Sequence, residues 1–215
     1  LAAQILEYSQ NCDDTEFQIE RMTAAMVELD ENAFSETMEF IIKKRGFEDF
    51  VSSLIYPFLE RIGILWQLGT ISPAQEHFMS NLVRQKIIRV YDEIPIPKNP
   101  KSKILCFLPE GEWHELGLLF YAFAAKLQGH EVIYLGQSTP YEGMLGAVGI
   151  AEPDSILIGV VHAIAPDKLQ AYVEALHTDI PNLPIRLIGI QAEQLISYPK
   201  NIQVISHIND WKNLL

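Results

Sequence analysis

The sequence predicts a helical domain followed by an open α/β domain, and three observations predict it. The first ninety or so residues repeat apolar side chains at helical spacing. Three prolines, Pro95, Pro97 and Pro100, then fall close together, where no helix interior can continue. Beyond them, short apolar runs alternate with amphipathic stretches. That alternation is the pattern of a parallel sheet with helices on both faces.

The elements follow in order. Thr15 to Leu29 has helical spacing, and Asp30-Glu31-Asn32 is a break with capping residues. A second helix runs from Ala33 to Lys44 and ends at Gly46. Phe47 to Leu68 is a long apolar stretch with Pro57 inside it, which predicts a kink or break near Tyr56. Leu68-Gly69-Thr70 reads as a turn. Ser72 then stands as N-cap, Pro73 at the first helical position and Gln75 as the capping-box partner, opening a helix to about Asp92. Four helices with short connections suggest an antiparallel bundle. The expected boundaries are residues 1–93 for the bundle, 94–102 for a proline-rich linker and 103–215 for the α/β domain.

In the second domain, strands are expected at Ile104–Leu108, Val132–Leu135, Ser155–Val161 and Ile185–Ile190. A last strand is expected at Val204–Ser206, with a short helix to Leu215. Helices are expected at His114–Leu127, Pro140–Ile150 and Pro166–Leu176. Ligands in such folds bind beyond the carboxyl ends of the strands. The segment from Pro109 to Gly117 lies at that edge.

Composition narrows the function. The 215 residues carry 16 Lys and Arg against 28 Asp and Glu, a formal net charge of −12. That balance opposes direct binding to nucleic acid, which needs clustered cations. The compact basic group Lys43-Lys44-Arg45 ends a predicted helix, where cations suit the macrodipole. The acidic stretch from Asp30 to Glu39 reads as a solvated face, with a partner subunit as the alternative. No apolar run approaches the ~18 to 20 residues of a membrane span, and no signal peptide is visible. Of the two cysteines, Cys12 and Cys106, the latter sits in an apolar strand and reads as a core residue. No disulfide framework is evident, so a cytoplasmic location is expected. The chain starts at Leu1 without Met, as a piece of a longer protein would.

Two clusters carry candidate chemistry. His114 follows the first strand between Glu112 and Glu115. Glu112 can accept a hydrogen bond from one ring nitrogen and leave the other to act as metal ligand or base. Gly117 would let a ligand approach the first helical turn closely. An ordinary polar loop histidine remains the alternative. The second cluster is Trp66, then nine residues, then Glu76-His77. A short turn joins the two helices that carry it. A flat aromatic, a carboxylate and an imidazole at one bundle end could cover a planar ligand. A core tryptophan with two solvated neighbours is the plainer reading.

Taken together, these motifs resemble those of the light-responsive, cobalamin-binding transcriptional regulators of the MerR type. Trp66-x9-Glu76-His77 resembles the upper-face motif of their helical cap, and Glu112-x-His114-x-x-Gly117 their form of the cobalamin-binding signature. The resemblance covers essentially the whole chain. It implies a four-helix bundle cap, a linker and a Rossmann-like (flavodoxin-like) domain, with cobalamin, most simply adenosylcobalamin, between cap and domain. It further implies His114 as lower axial cobalt ligand, oriented by Glu112. Trp66 and Glu76 would pack over the upper face against the adenosyl group, with His77 lining it. Such regulators are not enzymes. They carry an N-terminal helix-turn-helix that reads promoter DNA, assemble into homo-oligomers when loaded, and disassemble when light cleaves the cobalt–carbon bond.

The sequence departs from that pattern at three places. The residue after Trp66 is Gln67, an amide and a poor cobalt ligand, where the best-known light sensors have histidine. Forty-one residues separate Gly117 from Gly159-Val160-Val161, where the signature expects Ser-x-Leu or Ser-x-Thr. A further 27 residues reach Gly189-Ile190, where it expects Gly-Gly. Gly159, Val161 and Gly189 are therefore the expected cofactor-binding positions of an altered tail site, and Ile190 is expected to fill space there. Three other readings stay open: a regulator of the same fold that has lost cobalamin and senses another ligand or acts through protein contacts, a corrinoid methyl-carrier protein, and an enzyme using Glu112 and His114 as acid and base.

Overall fold

The computed structural model describes residues 14–205, which form two compact units divided between Gln85 and Lys86. The first unit is helical. Helix α1 spans Thr15–Glu28 and α2 spans Glu31–Arg45. Each is opened by an aspartate: Asp14 accepts from the Phe17 N–H and Asp30 from the Ala33 N–H. These caps satisfy donors that the first turn leaves bare. Lys43, Lys44 and Arg45 occupy the last turn of α2.

The third helix, α3, is continuous in three parts: Phe47–Asp49, a π-helical segment Phe50–Ile55, and Tyr56–Gln67. Of the kink or break expected near Tyr56, the break does not occur, and the helix instead changes from π to α there. The chain widens: the Tyr56 N–H bonds the Val51 carbonyl, five residues back. Pro57, which has no N–H to give, then follows this wide turn without ending the helix.

Helix α4 spans Pro73–Glu93. The Ser72 N–H donates to the Gln75 side chain at 2.8 Å, and the Gln75 N–H donates to the Ser72 hydroxyl at 3.3 Å. The reciprocal cap read from the sequence is thus formed, and Gln75 also donates to the Val27 carbonyl, tying the start of α4 to the end of α1. The unit's core holds Met22, Met26, Phe34, Met38, Ile41, Phe50, Leu54, Ile55 and Phe58, all buried.

The second unit is a five-stranded parallel sheet of order β2-β1-β3-β4-β5, with β1 at Lys103–Pro109, β2 at Glu131–Thr139, β3 at Ser155–Gly159, β4 at Ile185–Ile188 and β5 at Ile202–Ile205. Helices α5 (Leu116–Leu127), α6 (Tyr141–Ala151) and α7 (Pro166–Asp179) connect them. This is a Rossmann-like α/β fold in the flavodoxin-like order. Strand side chains alternate between faces. Leu105, Phe107, Ile156, Ile158, Ile185 and Leu187 meet Met144, Leu169, Val173 and Leu176 of α6 and α7. The opposite face receives α5, whose Leu118 lies beside Gly159.

Several boundaries differ from expectation. Helix α5 begins at Leu116 rather than His114, because the backbone of residues 113 and 114 is committed to a carboxylate described below. Strand β2 runs on to Thr139, through register shifts against β1 and left-handed backbone at Gly136 and Ser138. Strand β4 stops at Ile188, since Gly189 turns the chain at φ +103°. The helix expected to end at Leu215 lies outside the described residues, as does Ser206. Residues 94–102 form neither helix nor strand.

Candidate functional site

In the order β2-β1-β3, the connections from β1 and β3 leave in opposite directions, so their loops part at the carboxyl edge of the sheet. That switch point is where open α/β sheets take ligands. Residues 110–115 follow β1, and residues 160–165 follow β3.

The first loop is fixed by its backbone. Gly111 sits at φ +83°, a conformation that glycine adopts without strain. The Glu112 N–H donates to the Pro109 carbonyl at 2.9 Å. The extended end of β2 holds the loop from the side. Its Ser138 N–H donates to the Glu112 carbonyl at 3.0 Å, the Gly111 N–H donates to the Ser138 hydroxyl at 3.1 Å, and the Gln137 amide donates to the Trp113 carbonyl at 2.9 Å. The bulges in β2 bring these groups to the loop.

Glu112 is the centre of the arrangement. It is 5% exposed, and both carboxylate oxygens are engaged. Oε1 accepts from the Trp113 N–H at 2.9 Å, from the His114 N–H at 2.9 Å, and pairs with His114 Nδ1 at 2.6 Å. Oε2 accepts from the Val161 N–H at 2.7 Å and from the His162 N–H. One carboxylate therefore binds the β1 loop to the β3 loop. Burial alone would raise its pKa. The hydrogen bond with the His114 ring and those from the N–H groups of His114, His162 and Val161 outweigh burial and hold it at about 2. Glu112 is thus ionised throughout the physiological range.

That fixes the chemistry of His114. Its side chain is about half exposed, and Nδ1 faces the carboxylate. A carboxylate on Nδ1 sets the tautomer with the proton there and makes Nε2 the basic nitrogen, the preparation a metal-ligating imidazole receives. The His162 ring lies nearly parallel to the His114 ring, with centroids 5.9 Å apart and planes 9° apart. Beside them, buried Glu115 accepts a hydrogen bond from the Tyr134 hydroxyl at 2.9 Å. Gly117 is in the first turn of α5.

The positions expected to form a tail site are also at this edge. Val161 contributes its N–H to Glu112. A Cβ added at Gly159 would stand 2.5 Å from Leu108 Cδ2, so a leucine already fills the space a side chain there would take. A Cβ at Gly189 would stand 2.4 Å from the Val160 carbonyl oxygen. Together with its φ of +103°, that makes glycine obligatory at 189. Ile190 is 65% exposed and so does not fill an interior space.

In the helical unit, Trp66 stands half-exposed in the last turn of α3, next to exposed Gln67. Glu76 and His77 meet in the first turns of α4, with Oε2 and Nδ1 2.9 Å apart. The turn between the helices is closed by the Gly69 N–H on the Trp66 carbonyl and by the N–H and hydroxyl of Thr70 on the Leu65 carbonyl.

Comparison with known proteins follows this geometry. Residues 18–91 match the family model described as a B12 binding domain. The chain is 32% identical over 149 residues to the HTH-type transcriptional repressor CarA of Myxococcus xanthus, covering 68% of this chain and 49% of that protein. It is 27% identical over 198 residues to the HTH-type transcriptional repressor CarH of the same organism, covering 91% of this chain and 66% of that protein. The chain is a homologue of the CarA and CarH repressors. It spans about half of the length of CarA and about two thirds of that of CarH. Among solved structures, the monomethylamine corrinoid protein of Methanosarcina barkeri superposes with a TM-score of 0.71 at 11% identity, covering 94% of this chain and 98% of that one. At that identity the likeness shows the architecture alone. No helix among the described residues is long and apolar enough to cross a membrane.

Sequence reasoning did not find His162, Ser138, Gln137 or Tyr134. His162 belongs to no motif, and its position just past a strand end is the one signal it gives. Gln137 and Ser138 were hidden by the bulges, since alternation alone ends that strand at Leu135, and Tyr134, inside the expected strand, gave no sign that its hydroxyl meets Glu115.

Proposed function

We propose that this chain is the sensory part of a transcriptional regulator that binds a cobalamin, with His114 as the residue that would ligate its cobalt. The observation that carries the reading is the 2.6 Å contact between His114 Nδ1 and the buried Glu112 carboxylate. The donor set fits the group: imidazole is a good ligand for late transition metals, and an ionised carboxylate raises its basicity. The B12 binding domain match and the two repressor relatives support the same reading.

Under this reading, Glu112 orients His114, and Gly117, Gly159, Val161 and Gly189 line the cofactor on the α/β side. Trp66, Glu76 and His77 of the helical unit are assigned to the cofactor as well, with adenosylcobalamin as the form bound. The division of labour is residues 1–93 as cap, 94–102 as linker and 103–215 as cobalamin-binding domain. The bound cofactor supplies a cobalt–carbon bond that light can break. The chain's own residues bind and orient it, and its loss changes assembly with further copies of the protein. DNA is read by a helix-turn-helix segment outside this sequence, in the cytoplasm, and the chain itself is not an enzyme. A difference spectrum with adenosylcobalamin tests the proposal: saturable binding at tens of micromolar supports it, and no spectral change at that concentration sinks it.

A second reading has one observation in its favour. Leu108 closes the space beside Gly159, which is the position expected to hold the tail. A regulator of this fold that has given up cobalamin for another ligand would show a folded protein, unchanged in melting temperature by any cobalamin.

A further inference from the structure

His162 has no place in the motifs that single out His114, yet it is the ring that lies against it. We propose that His162 is a positioning residue for His114, fixing the plane of its imidazole so that Nε2 is held on one line. The inference rests on the reading of His114 as a cobalt ligand and adds to it a residue that the motif does not contain.

The hydrogen bond from Nδ1 to Glu112 Oε1, at 2.6 Å, fixes where one nitrogen sits. That contact fixes one nitrogen and not, by itself, the tilt of the ring, and the tilt sets the direction of Nε2. His162 supplies a flat surface nearly parallel to the ring, at a centroid distance of 5.9 Å and an angle of 9°. The same carboxylate sets this surface in place, since Glu112 Oε2 accepts the His162 N–H. Glu112 thus controls His114 twice, once at its nitrogen and once through the backbone that carries the neighbouring ring. A metal ligand must be held in orientation as well as position, so an imidazole that wanders in angle would lose affinity.

The side chain of His162 is exposed, so replacing it leaves the core and the backbone N–H intact. The variants are His162→Ala, which removes the ring, and His162→Phe, which keeps a flat one. The expected effect of His162→Ala is a two- to tenfold loss of cobalamin affinity, about what one aromatic pair is worth. His162→Phe restores most of it. In a His114→Ala background, His162→Ala has no further effect, because the ring it restrained is gone. Equal losses from His162→Ala with and without His114, or no rescue by phenylalanine, would overturn the proposal. The ligand-free protein gives an independent readout. The NMR chemical shifts of the His114 ring protons are expected to change on His162→Ala and to return toward their wild-type values on His162→Phe. If the wild-type protein binds no cobalamin, the reading of the site fails. The positioning claim is then decided by this spectrum, and His114 resonances unmoved by His162→Ala overturn it.

Discussion

Replacing Glu112 by Gln changes the shape of the side chain little and its chemistry a great deal. The carboxylate accepts four backbone N–H groups and meets one imidazole nitrogen. A glutamine offers one oxygen and turns an NH2 group toward donors on its other side. The magnitude follows from the carboxyl's pKa, lowered from its ordinary 4.5 to about 2. Each unit is worth about 1.4 kcal/mol, so the ionised group contributes about 3 kcal/mol to folding at pH 7. The sign follows from the direction of the shift. A depressed carboxyl pKa stabilises the fold fully above the unfolded value. That stability is lost as pH falls through 4.5 toward 2. By pH 3, only about 1 kcal/mol of it remains. Urea unfolding of the wild type and Glu112→Gln across pH 7 to 3 is the assay. The gap between them is expected to be about 3 kcal/mol at pH 7 and to narrow below pH 4.5. A gap under about 0.5 kcal/mol at pH 7, or one independent of pH, refutes the claim that this charge joins the two loops.

Two further substitutions test the sheet edge. Gly189→Ala forces a Cβ to within 2.4 Å of the Val160 carbonyl oxygen at φ +103°. It is expected to cost upwards of about 2 kcal/mol and to lower Tm by at least ~4 °C in a scanning calorimeter; an unchanged Tm contradicts the close approach. Gly159→Ser brings its Cβ to 2.5 Å from Leu108 Cδ2. Alone it is expected to cost about 1 to 3 kcal/mol, and less in a Leu108→Ala background, where the space is open. Strict additivity of the two changes, read from urea midpoints, contradicts that contact.

The fold was legible in the sequence for reasons that can be named. Helix α4 announced its start through Ser72, Pro73 and Gln75, and each does what its chemistry suits it for. Strands β1 and β3 were visible because burial on both faces demands uninterrupted apolar runs, as at Ile104–Leu108. Pro57 misled because a rule about α-helices was applied where the chain could widen into a π turn. Strand β2 was cut short because Gly136, Gln137, Ser138 and Thr139 lack the apolar letters, and only their bulged backbone keeps them in the sheet. In the site, Glu112 and His114 were found because two residues of spacing let a carboxylate reach an imidazole on the same loop. His162 escaped because it reaches His114 from the loop after another strand, 48 residues on. Ile190 was expected to crowd the cofactor's tail. The turn at Gly189 leaves it mostly exposed, while Leu108, the last residue but one of β1, takes the space beside Gly159.

The central claim is that the His114 imidazole binds cobalt, and electron paramagnetic resonance of the bound cobalt(II) form tests it most directly. Protein labelled with 15N at histidine and loaded with unlabelled cobalamin is expected to show the superhyperfine splitting of one 15N nucleus, two lines in place of three. His114→Ala is expected to abolish that change. A three-line 14N pattern in the labelled protein would mean that the nitrogen on cobalt comes from the cofactor's own base, and the account of this site would be wrong.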